Sequence, residues 1–228
     1  MITKSFKLGH IGYVPIFMDS SFLLLGLLWL FHLMNAASVN AGLVLVAGFF
    51  GLVLSILLHE LGHSLVADWL GVRTKLIEFN GLGGLCRFAG ALPAWTSSRI
   101  AIHLAGPVLN LAIWQALTAL ETFPYVSQDA MELAIAHYVA QMNLVMFFFN
   151  LLPAFPLDGG KALAELLTKI TSARTATIVV GWAGMAVTVL CILGAFKLGF
   201  WMLIIALSLF VANREELRSV GQWRSNWP

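Results

Sequence analysis

The chain has 228 residues, of which 60% are hydrophobic and only 11% are charged, and its mean hydropathy is +0.88. Soluble domains carry roughly 25% charged residues, and a globule of this length still exposes much of its area, so the composition excludes a soluble globular domain. The net charge of +2 comes from basic residues scattered along the chain, which does not indicate a nucleic-acid-binding surface. Its two cysteines, Cys86 and Cys191, form no CxxC pair and are expected to be buried free thiols.

The first membrane-spanning elements are predicted from a charge-free stretch between Asp19 and Glu60. As one helix, this stretch would be about 60 Å long, twice the hydrocarbon thickness of roughly 30 Å. Two antiparallel spans, at 20–37 and 42–67, fit instead and predict an integral membrane protein. A cleaved signal peptide is a less favoured alternative, because the nineteen residues that end in Asp19 make a poor n-region.

The second predicted span ends in the sequence HELGH, which runs from His59 to His63. At 100° per residue the two histidines lie about 40° apart on one helix face, and Glu60 lies about 100° from His59. Two neutral nitrogen ligands beside one general base are the arrangement of zinc hydrolases with this motif. The alternative, a pair of histidines packed against polar neighbours, is less favoured because ionisable groups are costly inside a membrane.

Two later segments are not ordinary spans. Residues 71–90 alternate Val72, Thr74 and Leu76 and then reach a glycine cluster, which predicts strands joined in a hairpin. Residues 150–160, NLLPAFPLDGG, combine two prolines with paired glycines, so the helix before them must break. Irregular backbone at membrane depth is tolerated where it packs in protein or lines a cavity, so both segments are candidates for a functional site. Four further spans are predicted at 99–120, 131–150, 176–196 and 198–213.

Six spans place both termini on the same side of the membrane, and the basic residues indicate which side. With the N-terminus inside, only Lys197 of the thirteen basic residues lies outside. The predicted outer loop between the third and fourth spans carries Glu121 and Asp129 instead. The positive-inside rule therefore predicts that both termini are cytoplasmic.

A zinc site of this kind usually takes three protein ligands and leaves one position for water, so a third ligand must come from elsewhere in the chain. Residue 69 is tryptophan, which excludes the metzincin spacing. Asp68 lies on the opposite side of the helix from His59.

Other candidates for the third ligand lie further along the chain. His103 and His137 fall in the third and fourth spans, where helix packing is the commoner role, and Glu165 is expected to be exposed and solvated. Asp158 stands inside the predicted helix break. A carboxylate there needs a partner such as a cation, but Asp-Gly is also an ordinary turn pair, so position alone leaves both readings open.

The motifs together resemble the site-2 protease family of intramembrane zinc metalloproteases. The HExxH sequence ends an early span, and Asn150 to Gly160 matches the family pattern NxxPxxPLDGG. A third family-like element is Gly106 to Asn110, and the glycine-rich turn at 81–84 matches the hairpin that these enzymes carry. The resemblance covers roughly residues 5 to 200 and implies a single polytopic membrane domain, 1–228, in a compact form without a PDZ-like insertion or a CBS domain.

The resemblance also implies the roles of individual residues. His59, His63 and Asp158 would bind one Zn²⁺ per chain, and Glu60 would be the catalytic base. Asn150 matches a position thought to hold the substrate peptide near the metal, with helix capping or an interhelical hydrogen bond as its alternative. Asn110 is not assigned, because it could bond backbone that Pro107 frees.

The fold class expected is thus an all-α membrane protein of about six transmembrane helices with a small membrane-associated β-hairpin. The function expected is proteolysis of membrane-spanning proteins or peptides, with the lipid bilayer and no nucleic acid as partners, in a prokaryotic cytoplasmic membrane. A zinc transporter or sensor is the main rival, opposed by the lack of an inverted repeat. A catalytically inactive relative is a second rival, opposed by the intact HExxH and LDG sequences. The oligomeric state is not predicted.

Overall fold

The structure is a computed structural model that describes residues 5–81, 83–122 and 130–222. This part of the chain contains four strands and seven helices. They are β1 (Ser5–Ile11), β2 (Val14–Asp19), α1 (Phe22–Met34), α2 (Val39–Trp69), β3 (Thr74–Asn80), β4 (Gly83–Phe88), α3 (Thr96–Thr122), α4 (Ala130–Asn150), α5 (Asp158–Leu167), α6 (Ala173–Leu198) and α7 (Trp201–Gln222). Four residues that the sequence arguments include lie outside the described residues. They are the basic residues Lys4 and Arg224, Leu82 of the glycine-rich turn and Asp129 of the predicted outer loop.

Four of the described helices are long and apolar enough to cross a membrane: α2, α3, α4 and α6. The chain is therefore an integral membrane protein. The span predicted at 20–37 corresponds to α1, whose 13 residues are fewer than the roughly 20 that a membrane crossing needs. The span predicted at 198–213 corresponds to the first part of α7, which continues into a charged segment and ends at Gln222. The count of six spans stays a prediction.

The predicted hairpin after the second span is confirmed as β3 and β4, which pair antiparallel from Thr74–Phe88 to Asn80–Gly83. The sheet, however, is larger than predicted. Its order is β1-β2-β3-β4, because an N-terminal hairpin adds β2 to β3 in parallel. The sequence gives little sign of β2, since Pro15 interrupts a strand of only six residues.

The sheet packs on α1 and α2 through a hydrophobic cluster of four buried residues: Ile16 of β2, Phe22 of α1, Ile56 of α2 and Phe79 of β3. The rings of Phe22 and Phe79 meet edge to face with their centroids 5.5 Å apart, an arrangement that contributes about 0.5–1.5 kcal/mol beyond area burial. Near the C-terminal end of α2, the hydroxyl of Tyr13 donates a hydrogen bond to Asp68. This bond raises the pKa of Tyr13, which lies in the turn of the N-terminal hairpin. The sheet is thus attached to α2 at two points.

Helix α2 has defined ends. The Ser38 hydroxyl accepts a hydrogen bond from the backbone N–H of Ala41, which caps the first turn. At the C-terminus, Val72 N–H donates to the Ala67 carbonyl and Gly71 N–H to the Asp68 carbonyl. Gly71 has a φ of +79°, so this is a Schellman motif that only glycine enters without strain. The chain therefore leaves the HExxH helix and enters β3 within a few residues.

The chain divides into two compact units, Met1–Leu92 with Ala105–Phe148, and Pro93–Leu104 with Phe149–Pro228. The single domain expected from the sequence thus has an internal division. In the first unit, α2 approaches α4 at glycines: a Cβ on Gly48 would lie 2.6 Å from the Tyr138 ring, and one on Gly51 would lie 2.5 Å from the Val139 side chain. Small residues of this kind let membrane helices pack closely.

The second unit contains the predicted helix break, which is confirmed between the end of α4 at Asn150 and the start of α5 at Asp158. Its paired glycines are required by space. A Cβ on Gly159 would lie 2.2 Å from the Leu151 carbonyl oxygen, and one on Gly160 would lie 2.5 Å from that of Ala154. Both positions therefore exclude any larger residue.

Helix α7 stabilises the backbone of this helix break through the side chain of Asn213. Asn213, which is fully buried, accepts a hydrogen bond from the Phe155 N–H at 3.0 Å and donates to the Phe155 carbonyl at 2.8 Å. Buried backbone groups in an irregular segment need such partners. Gly184 of α6 leaves the room for this amide, because a Cβ there would lie 2.0 Å from its oxygen.

We expect Asn213→Leu to lower the free energy of unfolding by about 1–3 kcal/mol, because it leaves a buried N–H and a buried carbonyl without partners. Thermal unfolding in detergent measures this loss. Ser208→Ala on the same helix is the matched control, because its hydroxyl bonds only to the Ile204 carbonyl one turn earlier. An equal effect of the two substitutions would contradict the role of Asn213.

Candidate metal centre

The two histidines of the HExxH sequence converge on the same helix face, as their spacing predicts. His59 and His63 are both buried in α2, and their Nε2 atoms are 3.1 Å apart. Their rings meet edge to face with centroids 4.8 Å apart. Two nitrogens bound at 2.0–2.1 Å to one tetrahedral zinc ion would be about 3.3 Å apart. The geometry of this pair therefore fits two ligands of a single ion.

Helix α3 approaches this pair at positions that lack a side chain. A Cβ on Gly106 would lie 2.4 Å from Nε2 of His63 and 2.7 Å from Nε2 of His59. On the α2 side, a Cβ on Gly62 would lie 3.0 Å from the Ala105 carbonyl oxygen. The glycine of the HExxH sequence and the first glycine of the Gly106–Asn110 element thus allow the backbone of α3 to approach the two imidazoles.

Glu60 is buried, with 5% of its surface exposed, and it faces the sheet. A Cβ on Gly84 of β4 would lie 2.4 Å from Oε1 of Glu60 and 2.7 Å from its carboxyl carbon. The backbone of β4 therefore lies directly against the predicted base.

The side chain of Asn110, whose role the sequence did not assign, hydrogen-bonds to two other side chains. Its Oδ1 is 2.6 Å from Nδ1 of His59, and its amide nitrogen donates to Oδ1 of Asn143 at 2.8 Å. Asn143 in turn donates to the Ser55 hydroxyl at 2.8 Å. Neither Asn143 nor Ser55 was identified from the sequence, although an asparagine in an apolar span is a signal for an interhelical partner.

Asp158 is the first residue of α5 and is buried, with 6% of its surface exposed. Its carboxylate gains from the positive end of the helix dipole, and Oδ1 lies 3.5 Å from the ammonium of Lys161. His59 and His63 in the first unit and Asp158 in the second are thus buried side chains of the types that bind metal ions. The donor set of two imidazoles and one carboxylate suits Zn²⁺.

The other acidic candidates have different roles. Glu165 is not simply solvated as expected, because its carboxylate pairs with Arg99 at 2.7 Å. Arg99 also donates to the Pro93 and Ala94 carbonyls, so the pair anchors the start of α3. Asp68 is exposed and accepts a hydrogen bond from Tyr13.

The remaining predicted residues are placed as follows. His103 is half-buried in α3 and His137 is exposed on α4. Neither is fully buried, unlike His59 and His63. Asn150 is the half-buried last residue of α4, and its predicted role at the substrate stays a prediction.

We expect Gly106→Ala to weaken metal binding by roughly 10- to 100-fold, the range seen when the support of a metal ligand is lost, because the added methyl displaces both imidazoles. Zinc affinity measured with a competing chelator tests this. Gly26→Ala in α1 is the matched control, since nothing lies within 4 Å of a Cβ there. Wild-type zinc affinity in Gly106→Ala would show that the imidazoles do not need this glycine.

Comparison with known proteins shows which family the chain belongs to. The model of Peptidase family M50 matches residues 47–128 and 124–194, together more than half of the chain. A putative zinc metalloprotease of Synechocystis is 30% identical over 224 residues, covering 90% of this chain and 57% of the relative. A zinc metalloprotease of Methanocaldococcus jannaschii is 28% identical over 217 residues, covering 95% of this chain and 61% of the relative.

A solved structure has the same fold. The site-2 protease from Methanocaldococcus jannaschii superposes with a TM-score of 0.70 at 24% identity, over 94% of this chain and 95% of that one. The present chain spans about three fifths of the length of the two zinc metalloproteases that it matches. Its HExxH sequence, buried in α2, lies within the segment that the family model matches. The motifs, the buried histidines of the HExxH sequence and the family match agree, and the chain belongs to Peptidase family M50, the site-2 protease family that its sequence resembles.

Proposed function

We propose that this chain is a zinc metalloendopeptidase that hydrolyses peptide bonds of membrane-spanning substrates within or beside the bilayer. The observation that carries the proposal is the pair of buried imidazoles with converging Nε2 atoms, 3.1 Å apart, next to the buried carboxylate of Glu60. Ionisable groups inside a membrane are costly and indicate function. Relatives named as zinc metalloproteases support the choice of metal and of reaction.

Asp158 is proposed as the third zinc ligand. A buried carboxylate needs a charged or hydrogen-bonding partner, and a ligand that is also the first residue of a helix is held firmly. Asn213, Gly159 and Gly160 fix the backbone on both sides of Pro156. Such support of a ligand is what a metal site requires beyond the ligands themselves.

Zinc bound by these ligands would polarise the scissile carbonyl as a Lewis acid and would lower the pKa of a bound water toward neutrality. Glu60 then accepts the proton of the attacking water and delivers it to the leaving amine. Its place against β4, rather than on the imidazole face, leaves it free of the metal ligand set. Asn150 is proposed to hold the substrate carbonyl near the reacting centre.

Water must reach these residues. His63 and His59 lie six and ten residues before Trp69, the end of α2, and are therefore about 9 and 15 Å inside that end at 1.5 Å per residue. Hydrolysis at this depth requires a hydrated path from the end of α2 that adjoins β3.

The substrate is proposed to bind as an extended strand at β4. A helical peptide has its carbonyls occupied in hydrogen bonds, so it must unwind before attack. Strand β4 is an outer strand of the sheet, and such an edge can pair with an added strand. Because Gly84 places the β4 backbone against Glu60, a peptide paired there would lie close to the base.

The remaining features follow the sequence argument. Six spans are proposed from the charge-free stretches, and both termini in the cytoplasm from the distribution of basic residues. A prokaryotic cytoplasmic membrane is proposed from the compact form that the family resemblance implies. The substrates proposed are transmembrane proteins or peptides.

We expect Glu60→Gln to keep zinc at one ion per chain and to lose cleavage of transmembrane peptides by at least about 10²-fold, the lower range for removal of a general base. Asp158→Ala should instead lower zinc affinity, because it removes a ligand. Zinc content and peptide cleavage are measured on the same detergent-purified samples. Glu216→Gln, at an exposed position of α7, is the control for both. Full cleavage by Glu60→Gln would contradict its role as the base. A wild type that binds zinc but cleaves no peptide would instead favour a zinc transporter or sensor.

We expect Gly84→Ala to reduce cleavage by roughly 10- to 100-fold without loss of zinc, because the methyl displaces the Glu60 carboxylate by a fraction of an ångström to an ångström. The matched control is again Gly26→Ala.

The proposed strand pairing is tested with a bound peptide that carries a photo-crosslinker. The pairing is contradicted if this peptide reacts nowhere within 76–88.

A further inference from the structure

A chain of four buried polar side chains runs from the predicted metal ligand His59 to Ser55, one turn earlier in the same helix. It passes through Asn110 of α3 and Asn143 of α4, and both asparagines are fully buried. Its three links are 2.6 Å, 2.8 Å and 2.8 Å long. These residues connect three helices of one compact unit, and the reaction proposed above uses only His59.

The direction of every hydrogen bond in this chain is fixed by backbone carbonyls, which can only accept. The Ser55 hydroxyl donates to the Gly51 carbonyl at 2.7 Å, so towards Asn143 it accepts. The Asn143 nitrogen that donates to Ser55 also donates to the Val139 carbonyl at 2.9 Å. Two acceptors therefore hold the NH₂ group of Asn143, and its oxygen must face Asn110.

The same argument continues to the histidine. Because Oδ1 of Asn143 accepts, Asn110 must present its NH₂ group to Asn143 and its oxygen to His59. An amide oxygen can only accept, so Nδ1 of His59 must carry the proton. Neutral imidazole has a single N–H, which leaves Nε2 with its lone pair. That lone pair lies on the side of the ring that faces His63.

We infer that Ser55, Asn143 and Asn110 form a positioning relay that fixes His59 in the Nδ1-protonated tautomer, with Nε2 presented to the metal. The inference rests on the proposed function in one respect, namely that His59 is a zinc ligand. A histidine that ligates through one nitrogen commonly donates the other N–H to a second group, which fixes the ring and its tautomer. Here the groups that set the direction of the hydrogen bonds lie beyond Asn110 and Asn143. They are the Gly51 carbonyl of α2 and the Val139 carbonyl of α4.

The tautomer itself is measurable. The full chain, labelled with ¹⁵N-histidine and held in lipid nanodiscs, is examined by NMR before and after addition of Zn²⁺, because protonated and unprotonated ring nitrogens have well-separated shifts. For wild type we expect protonated Nδ1 and unprotonated Nε2 at His59 without zinc, and the Nδ1 proton retained after zinc is added. An Nε2-protonated His59 in the zinc-free wild type would overturn the inference.

Two variants test the relay away from the ring. Asn143→Leu does not touch His59 but removes the acceptor that orients Asn110, so the Asn110 amide can flip and a mixture of tautomers is expected. Zinc affinity should then fall by roughly 10- to 100-fold. Ser55→Ala is the milder variant, for which we expect a smaller loss, because the Val139 carbonyl still holds the NH₂ group of Asn143.

The matched control is Thr188→Val in α6, a buried hydroxyl that bonds to the Gly184 carbonyl four residues earlier, as Ser55 does to Gly51. It should change neither the tautomer nor zinc affinity. If Asn143→Leu lowers only thermal stability and leaves His59 fully Nδ1-protonated, the relay is overturned and Asn143 is a packing residue. If wild type binds no zinc, the proposed function fails, while the zinc-free spectra still decide the tautomer.

Discussion

The structure depends on keeping several polar side chains buried in an apolar protein without leaving their hydrogen-bonding groups unpaired. An unpaired polar group inside a membrane costs several kcal/mol. His59 meets this demand through Asn110, whose own amide is satisfied by Asn143. Each partner comes from a different helix, so the polar groups also determine how α2, α3 and α4 are placed around the imidazoles. The same bonds that reduce the cost of burial therefore also orient the imidazole of His59.

Close approach is the second constraint, and glycines provide it. Gly62 and Gly106 bring the backbone of α3 to the imidazoles, while Gly84 brings β4 to the carboxylate of Glu60. At each of these positions a methyl group would collide with backbone or with the functional side chains themselves. The close approach of α2, α3 and β4 therefore depends on the absence of a side chain at Gly62, Gly106 and Gly84.

The second compact unit solves a related problem for Asp158. Its helix break leaves buried backbone N–H and carbonyl groups without helical partners, and Asn213 of α7 satisfies both groups of Phe155. Gly159 and Gly160 then allow α5 to begin immediately after the break. A helix that starts at Asp158 stabilises the Asp158 carboxylate through the helix dipole. The segment is therefore suited to hold this carboxylate rigidly.

The sequence by itself determined the apolar helices, the HExxH face, the hairpin at β3 and β4 and the break before Asp158. These features depend on local composition and on periodicity, which neighbouring residues encode. Only the tertiary structure decided that β2 joins β3 in parallel, that Glu165 pairs with Arg99, and that Asn143 and Ser55 support His59. The side-chain contacts join residues 33 to 88 positions apart, and β2 and β3 are separated in the sequence by two helices. No local pattern specifies the partner of a buried amide or of a strand. The candidate metal ligands could therefore be predicted from motifs, whereas the hydrogen bonds that orient His59 required the packed helices.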